Sequence, residues 1–228
     1  MEMAGAGSSA GLEVETLEAI YFDLDGTLTD PKIGITRSIR YALEKLGHGP
    51  VPSEDELTWC IGPPLRASFV KLLGGDGPAD LAVSFYRERF ADIGLYENSL
   101  YAGIADTLTT LRSSGRRLFV ATSKAHIYAE RIIDHFGLRP HFETVFGAEL
   151  DGTRADKSDL LQYALRTASA DPSRSLMIGD RSYDMIGARN NGMKAIGVLY
   201  GYGSEQELLG AGAVCVCATP TAILDCLS

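Results

Sequence analysis

The stretch Phe22-Asp23-Leu24-Asp25-Gly26-Thr27-Leu28-Thr29-Asp30 decides how this chain is read. It closes the short apolar run Leu17 to Asp23, whose length and composition predict a buried strand. Asp23 and Asp25 are two apart, so on extended backbone both side chains point to one side. Two carboxylates held that close raise each other's pKa, and one of them can keep its proton. They are thereby separated into a nucleophile and a general acid, the division of labour that cleavage of a phosphate ester needs. Gly26 lets the chain turn sharply, which brings the N–H groups of the Gly26-Thr27 turn toward a phosphate.

Outward from that stretch, short apolar runs recur at Arg117 to Ala121, Glu143 to Phe146, Ser175 to Gly179 and Lys194 to Val198. Helical spacing fills most of the gaps. Ala125, Tyr128, Ala129, Ile132, Ile133 and Phe136 form one stripe stopped by Gly137, and Leu160, Leu161, Ala164, Leu165 and Ala168 form another. The alternation predicts an α/β fold, a Rossmann-like parallel sheet core with helices on both faces. Ligands of such sheets bind beyond the carboxyl ends of the strands.

The interval Ile35 to Ile93 breaks the pattern, because it holds only helical stripes, ended by Gly47, by Gly74-Gly75 and by Gly94. It predicts a small all-α cap domain inserted after the first strand, a lid above that strand's end. Residues 1–14, rich in Ala, Gly and Ser at their start, are expected to be a flexible tail. Residues 15–34 and 97–228 are expected to form the core, and 35–96 the cap.

In 228 residues, 21 Lys and Arg stand against 30 Asp and Glu, a net charge of −9. Nucleic-acid polymers, which need a basic face, are excluded as partners, whereas a small phosphorylated substrate needs only a local positive site. No apolar run is long enough to span a membrane. Cys60, Cys215, Cys217 and Cys226 lack paired spacing, and Cys215 and Cys217 alternate within the apolar stretch Ala213 to Ala218, as packing residues do. A reducing, cytoplasmic location fits.

Three further pieces fall at matching places. Thr122 and Ser123 follow the strand Arg117 to Ala121 and are read as opening the next helix, where a hydroxyl and free N–H groups make an anion site. Lys157 begins the helix before Ser175 to Gly179; a cation at a helix N-terminus is unfavourable and asks for an anionic partner. Asp180 ends that strand and Asp184 follows one helical turn on, so the two can converge on one cation. In the cap, Arg66 follows the Gly62-Pro63-Pro64 turn and is the preferred contact for a second charged group of a substrate.

In order, these motifs resemble the haloacid dehalogenase superfamily, in the phosphatase branch with a helical cap after the first motif, over about Leu17 to Val198. The resemblance implies Asp23 as nucleophile, Asp25 as general acid and base, and Thr122 and Lys157, with Gly26, Thr27 and Ser123, around the phosphate. It also implies Mg²⁺ held by the Asp23 carboxylate, the Asp25 carbonyl, Asp180 and Asp184. Dehalogenases lack the second acid that Asp25 supplies. Thr122-Ser123-Lys124 and Gly62-Pro63-Pro64-Leu65 look like the phosphoglycolate phosphatase and 5′-nucleotidase subgroup. The expected activity is hydrolysis of a small phosphomonoester, phosphoglycolate first, a 5′-nucleotide next, ahead of a phosphomutase or a phospho-accepting signalling module. Electrostatics makes the cation necessary: at 4 Å and an effective dielectric of 20, each like-charged pair costs about 4 kcal/mol. Mg²⁺ and Lys157 reduce a substrate-loaded site from about −5 to about −2.

Overall fold

Four consecutive residues that alternate between two apolar environments make the central strand. In the computed structural model, which describes residues 16–227, β1 (Ala19–Phe22) sends Ile20 and Phe22 to one face and Ala19 and Tyr21 to the other, all buried. The expected tail, residues 1–14, lies outside the described residues. Two longer strands flank β1 in parallel: Ile20 stands opposite Leu118 of β4 (Arg117–Ala125) and Leu176 of β6 (Ser175–Gly179). With β5 (Thr144–Ala148), β7 (Lys194–Val198) and β8 (Cys215–Cys217), the sheet has the order β5-β4-β1-β6-β7-β8. Every pair in it is parallel. The chain leaves β1 toward β4 and β5, then returns to its other side, so the order reverses at β1 and a crevice opens at its carboxyl end.

Helices cover both faces. Ile20, Phe22 and Ile178 pack with α4 (Ile104–Ser113), α5 (His126–His135) and α9 (Ala222–Cys226). Tyr21, Phe119 and Met177 pack with α6 (Lys157–Ala168), α7 (Ser182–Asn190) and α8 (Glu205–Ala211). No helix among the described residues is long and apolar enough to cross a membrane.

The helical insertion begins at Lys32, ahead of the expected residue 35, because the Asp30 carboxylate accepts the Lys32 N–H at 3.0 Å and starts the helix there. It comprises α1 (Lys32–Lys45), a 3-10 segment Asp55–Cys60, α2 (Leu65–Leu73) and α3 (Ala79–Arg89), and closes on a wide turn at Phe90–Gly94. Backbones approach so closely in it that a Cβ on Gly34 would lie 1.9 Å from the Gly94 carbonyl oxygen. Short antiparallel strands β2 (Thr29–Asp30) and β3 (Ser99–Leu100) form its neck. Bonds that tie the cap to the core include Arg181 Nη1 to Ile61 O (2.5 Å), Arg87 Nη2 to Leu150 O (2.6 Å) and Arg131 Nη2 to Ala91 O (2.7 Å). Buried apolar residues of cap and sheet belong to one continuous cluster.

One local expectation is corrected. Thr122 and Ser123 do not open a helix; β4 continues through Ala125, and α5 starts at His126. Thr122 pairs with Gly147 and Ala125 with Ala148 across a bulge, so the ladder to β5 holds this polar stretch extended.

Candidate active site

The site is assembled from strand ends. The chain leaving β1 folds into a tight turn in which Leu24 O accepts the N–H groups of Thr27, Leu28 and Thr29. Leu24 and Leu28 are fully buried and anchor the turn, which leaves Asp23 and Asp25, spaced by one residue, on the floor of the crevice. Gly26 is the one residue the turn admits: its φ is +84°, and a Cβ there would lie 2.1 Å from Asp180 Oδ2. Gly26 stands beside Asp180, neither it nor Thr27 borders the cavity, and the Thr27 carbonyl accepts the Tyr200 hydroxyl at 3.1 Å.

Lys157 is held at the first position of α6, where Asp156 caps the helix by accepting the N–H groups of Ser158 and Asp159. Its ammonium lies 3.0 Å from Asp23 Oδ1 and 2.7 Å from Asp184 Oδ1, and donates to Ala121 O at 2.8 Å. Burial pulls the lysine toward neutrality, but the charges of Asp184 and Asp23 outweigh it and hold the ammonium above its ordinary pKa. Asp180, at the end of β6, accepts the Tyr202 N–H on Oδ2 (2.8 Å), while its buried Oδ1 has no hydrogen-bond partner. Asp184 accepts the Arg181 N–H at 3.1 Å.

Carboxylate oxygens of Asp23, Asp180 and Asp184 lie within 4.8 Å of one another, and all three residues are buried. Burial, then the charges of Asp184 and Asp23, push Asp180 well above the carboxylate range. Burial, with Asp23 adding to it against Lys157, lifts Asp184 to about 6. A buried, oxygen-only trio with an orphaned oxygen and raised proton affinity fits a hard divalent cation. The Asp25 carboxylate stands outside the trio.

The partner of Asp25 is Lys124, a residue to which the sequence reading gave no role. Its Nζ lies 2.5 Å from Asp25 Oδ2, and both side chains are at most about a tenth exposed. Burial raises the Asp25 pKa and Lys124 opposes it, with the net displacement upward. Lys124 also lies 4.7 Å from the ring centre of Phe90 in the cap.

A cavity of about 340 Å³ opens above this floor, bordered by Asp23, Asp25, Thr122, Ser123 and Lys124. Its upper wall is apolar and aromatic, including Ile35, Leu65, Val83, Tyr86, Phe90 and Tyr128. Arg66 borders it as well, but its guanidinium is half-exposed and bonded to Asp80 (2.7 Å) and Asp76 (3.0 Å). Lys157, Asp180 and Asp184 lie behind the cavity wall, reaching it through Asp23. An acid able to attack, a protonatable neighbour, a buried cation and a site for a second one can together transfer a phosphoryl group.

Residues 20–198 match the family described as haloacid dehalogenase-like hydrolase. A 5′-nucleotidase from Pseudomonas aeruginosa is 46% identical, over 91% of this chain and 94% of the relative. The tyrosine-protein kinase PtkA of Mycobacterium tuberculosis is 43% identical over 83% of this chain, which spans 64% of that protein. A phosphoglycolate phosphatase from Caulobacter vibrioides is 31% identical, over 86% and 85%. Among solved structures, a predicted phosphatase from Clostridium acetobutylicum superposes with a TM-score of 0.88 at 38% identity, covering 92% of this chain and 99% of that one.

Proposed function

The chain belongs to the haloacid dehalogenase-like hydrolases and is a phosphatase, and we propose that it hydrolyses phosphomonoesters through a phosphorylated Asp23 with Mg²⁺ as cofactor. The observation that carries this reading is the placement of the Asp23 carboxylate, at once on the cavity floor, 3.0 Å from the Lys157 ammonium and within the acid trio. Asp23, Asp180 and Asp184, with the Asp25 carbonyl, would hold Mg²⁺, which supplies positive charge against the phosphate dianion. Asp23 attacks phosphorus in line, and the ester oxygen leaves with the proton of Asp25. Asp25, now a carboxylate beside Lys124, takes a proton from the water that splits the acyl phosphate. Thr122, Ser123 and Lys157 hold the phosphoryl oxygens.

The cavity favours a nucleoside 5′-monophosphate over phosphoglycolate. Phosphoglycolate brings a second anion, yet the cations bordering the cavity are engaged: Lys124 with Asp25, Arg66 with Asp76 and Asp80, Arg87 with Leu150 O. Tyr86, Phe90 and Tyr128 instead offer the apolar wall that a base and ribose need. The 46% identity to a 5′-nucleotidase supports the same choice. A phosphomonoester panel tests it: nucleoside 5′-monophosphates are expected to show the highest kcat/KM, with turnover abolished by chelation and restored by Mg²⁺. Acid quenching during turnover is expected to trap an alkali-labile acyl phosphate on the wild-type protein. Turnover indifferent to chelation, or label recovered elsewhere than Asp23, overturns the mechanism; phosphoglycolate at the head of the ranking overturns the substrate class.

A further inference from the structure

At the far edge of the sheet, three of the four cysteines converge. Cys215 and Cys217 alternate along β8, the edge strand next to β7, and Cys226 closes the last helix, α9. Being two apart on a strand, Cys215 and Cys217 face one side, and the fold brings Cys226 onto that side. Cys226 Sγ lies 2.8 Å from Cys215 Sγ and 3.4 Å from Cys217 Sγ, and all three sulfurs fall within 4.8 Å of one another. All are free thiols. The cluster is independent of the phosphatase site, whose cavity none of these residues borders.

We propose that Cys215, Cys217 and Cys226 form a thiolate site for a thiophilic cation, with Zn²⁺ or Cu⁺ as occupant, which clips the last helix to the edge of the sheet. Tetrahedral zinc at about 2.3 Å from each sulfur holds its sulfurs about 3.8 Å apart, within the span seen here. Soft sulfur donors without a carboxylate or imidazole in the group select such ions over Mg²⁺. Cys217 is buried, and Cys215 and Cys226 are half-buried, so three ligands are fixed by the fold while a fourth position is open to water. Binding converts the thiols to thiolates and releases their protons to solvent, with no change in sulfur oxidation state.

The test uses the full-length reduced protein with Co²⁺ as the zinc probe, because thiolate-to-cobalt charge transfer absorbs in the near ultraviolet and carboxylate ligation does not. One equivalent of Co²⁺ is expected to produce that band, and Zn²⁺ to abolish it while raising Tm by several degrees. Cu⁺ buffered with a chromogenic chelator forms the second arm. Cys217→Ser and Cys226→Ser are each expected to lose the band and the Tm gain, and Cys60→Ser to keep both. Variants are first checked for native circular dichroism; Cys215→Ala, at a half-buried position, serves where one fails to fold. No charge-transfer band and no chelator-resistant Cu⁺ in the reduced protein overturns the proposal. So does a protein whose Cys215 and Cys226 form a disulfide and that takes neither ion after reduction.

Discussion

The floor of the cavity and its roof handle charge in opposite ways. On the floor, Asp23, Asp180, Asp184 and Lys157 are each no more than 5% exposed, and Lys157 pairs with Asp23 and Asp184 across distant parts of the chain. In the roof, Arg37, Lys45 and Arg66 are exposed and meet neighbouring acids at the surface: Glu54 and Glu97, Glu88, and Asp76 with Asp80. Exposed pairs of that kind contribute about 0–1 kcal/mol, whereas removing one member of a buried pair costs roughly 3–5 kcal/mol. The difference teaches where chemistry and selectivity reside. A floor of buried charge is fixed in place and reactive; a roof whose charges are already satisfied presents mainly apolar surface. Lys124 joins the two, paired with Asp25 below and set against the Phe90 ring above.

The sharpest way to break this contrast is at Asp23. Asp23→Asn is expected to lower kcat by about 10⁴-fold or more, by analogy with removal of other nucleophiles; steady-state kinetics on folded protein checks it, and substantial residual turnover would make the floor dispensable. Lys124→Gln comes next, with kcat expected to fall roughly 10–100-fold, the scale of a perturbed general acid. Its diagnostic is a pH profile. Lys124 holds the Asp25 pKa down, so removing it moves the alkaline limb, where Asp25 loses its proton, to higher pH.

The acid trio sharpens the comparison through pH. Asp184 binds its proton more tightly folded, at about 6, than at the ordinary 3.8, so the metal-free protein loses stability as pH rises between those values. Mg²⁺ needs the deprotonated form. The Tm increase from saturating Mg²⁺ is therefore expected to be small at pH 5 and several degrees larger at pH 7.5, measured by calorimetry. The smallest effect belongs to the roof. Arg66→Ala is expected to change kcat/KM by less than about threefold, because its guanidinium is exposed and already paired. A change of tenfold or more would show that the roof reads substrate charge after all.

What the sequence made legible follows from the range of the interactions involved. β6 and β7 lie at their expected bounds because unbroken apolar runs announce strands buried on both faces. Asp23, Asp180 and Asp184 were readable as a set because each sits at a strand end or one turn beyond, where local geometry aims it. Thr122 and Ser123 misled as a helix start, since polar composition there says nothing of the ladder to Gly147 and Ala148. Lys124 went unassigned because its partner is 99 residues away, and no local pattern records that pairing. The same holds for Cys226, which tertiary packing alone brings to Cys215 and Cys217.

Arg181 stands in the chain between Asp180 and Asp184, gives its backbone N–H to Asp184, and reaches across to the cap carbonyl of Ile61. One residue therefore touches both the acid trio and the roof. Swinging the roof outward would break the Ile61 bond and leave the guanidinium held by Glu207 alone among the described residues. If the acid trio takes up a cation, any factor by which closure tightens that uptake is returned in full to closure by thermodynamic reciprocity.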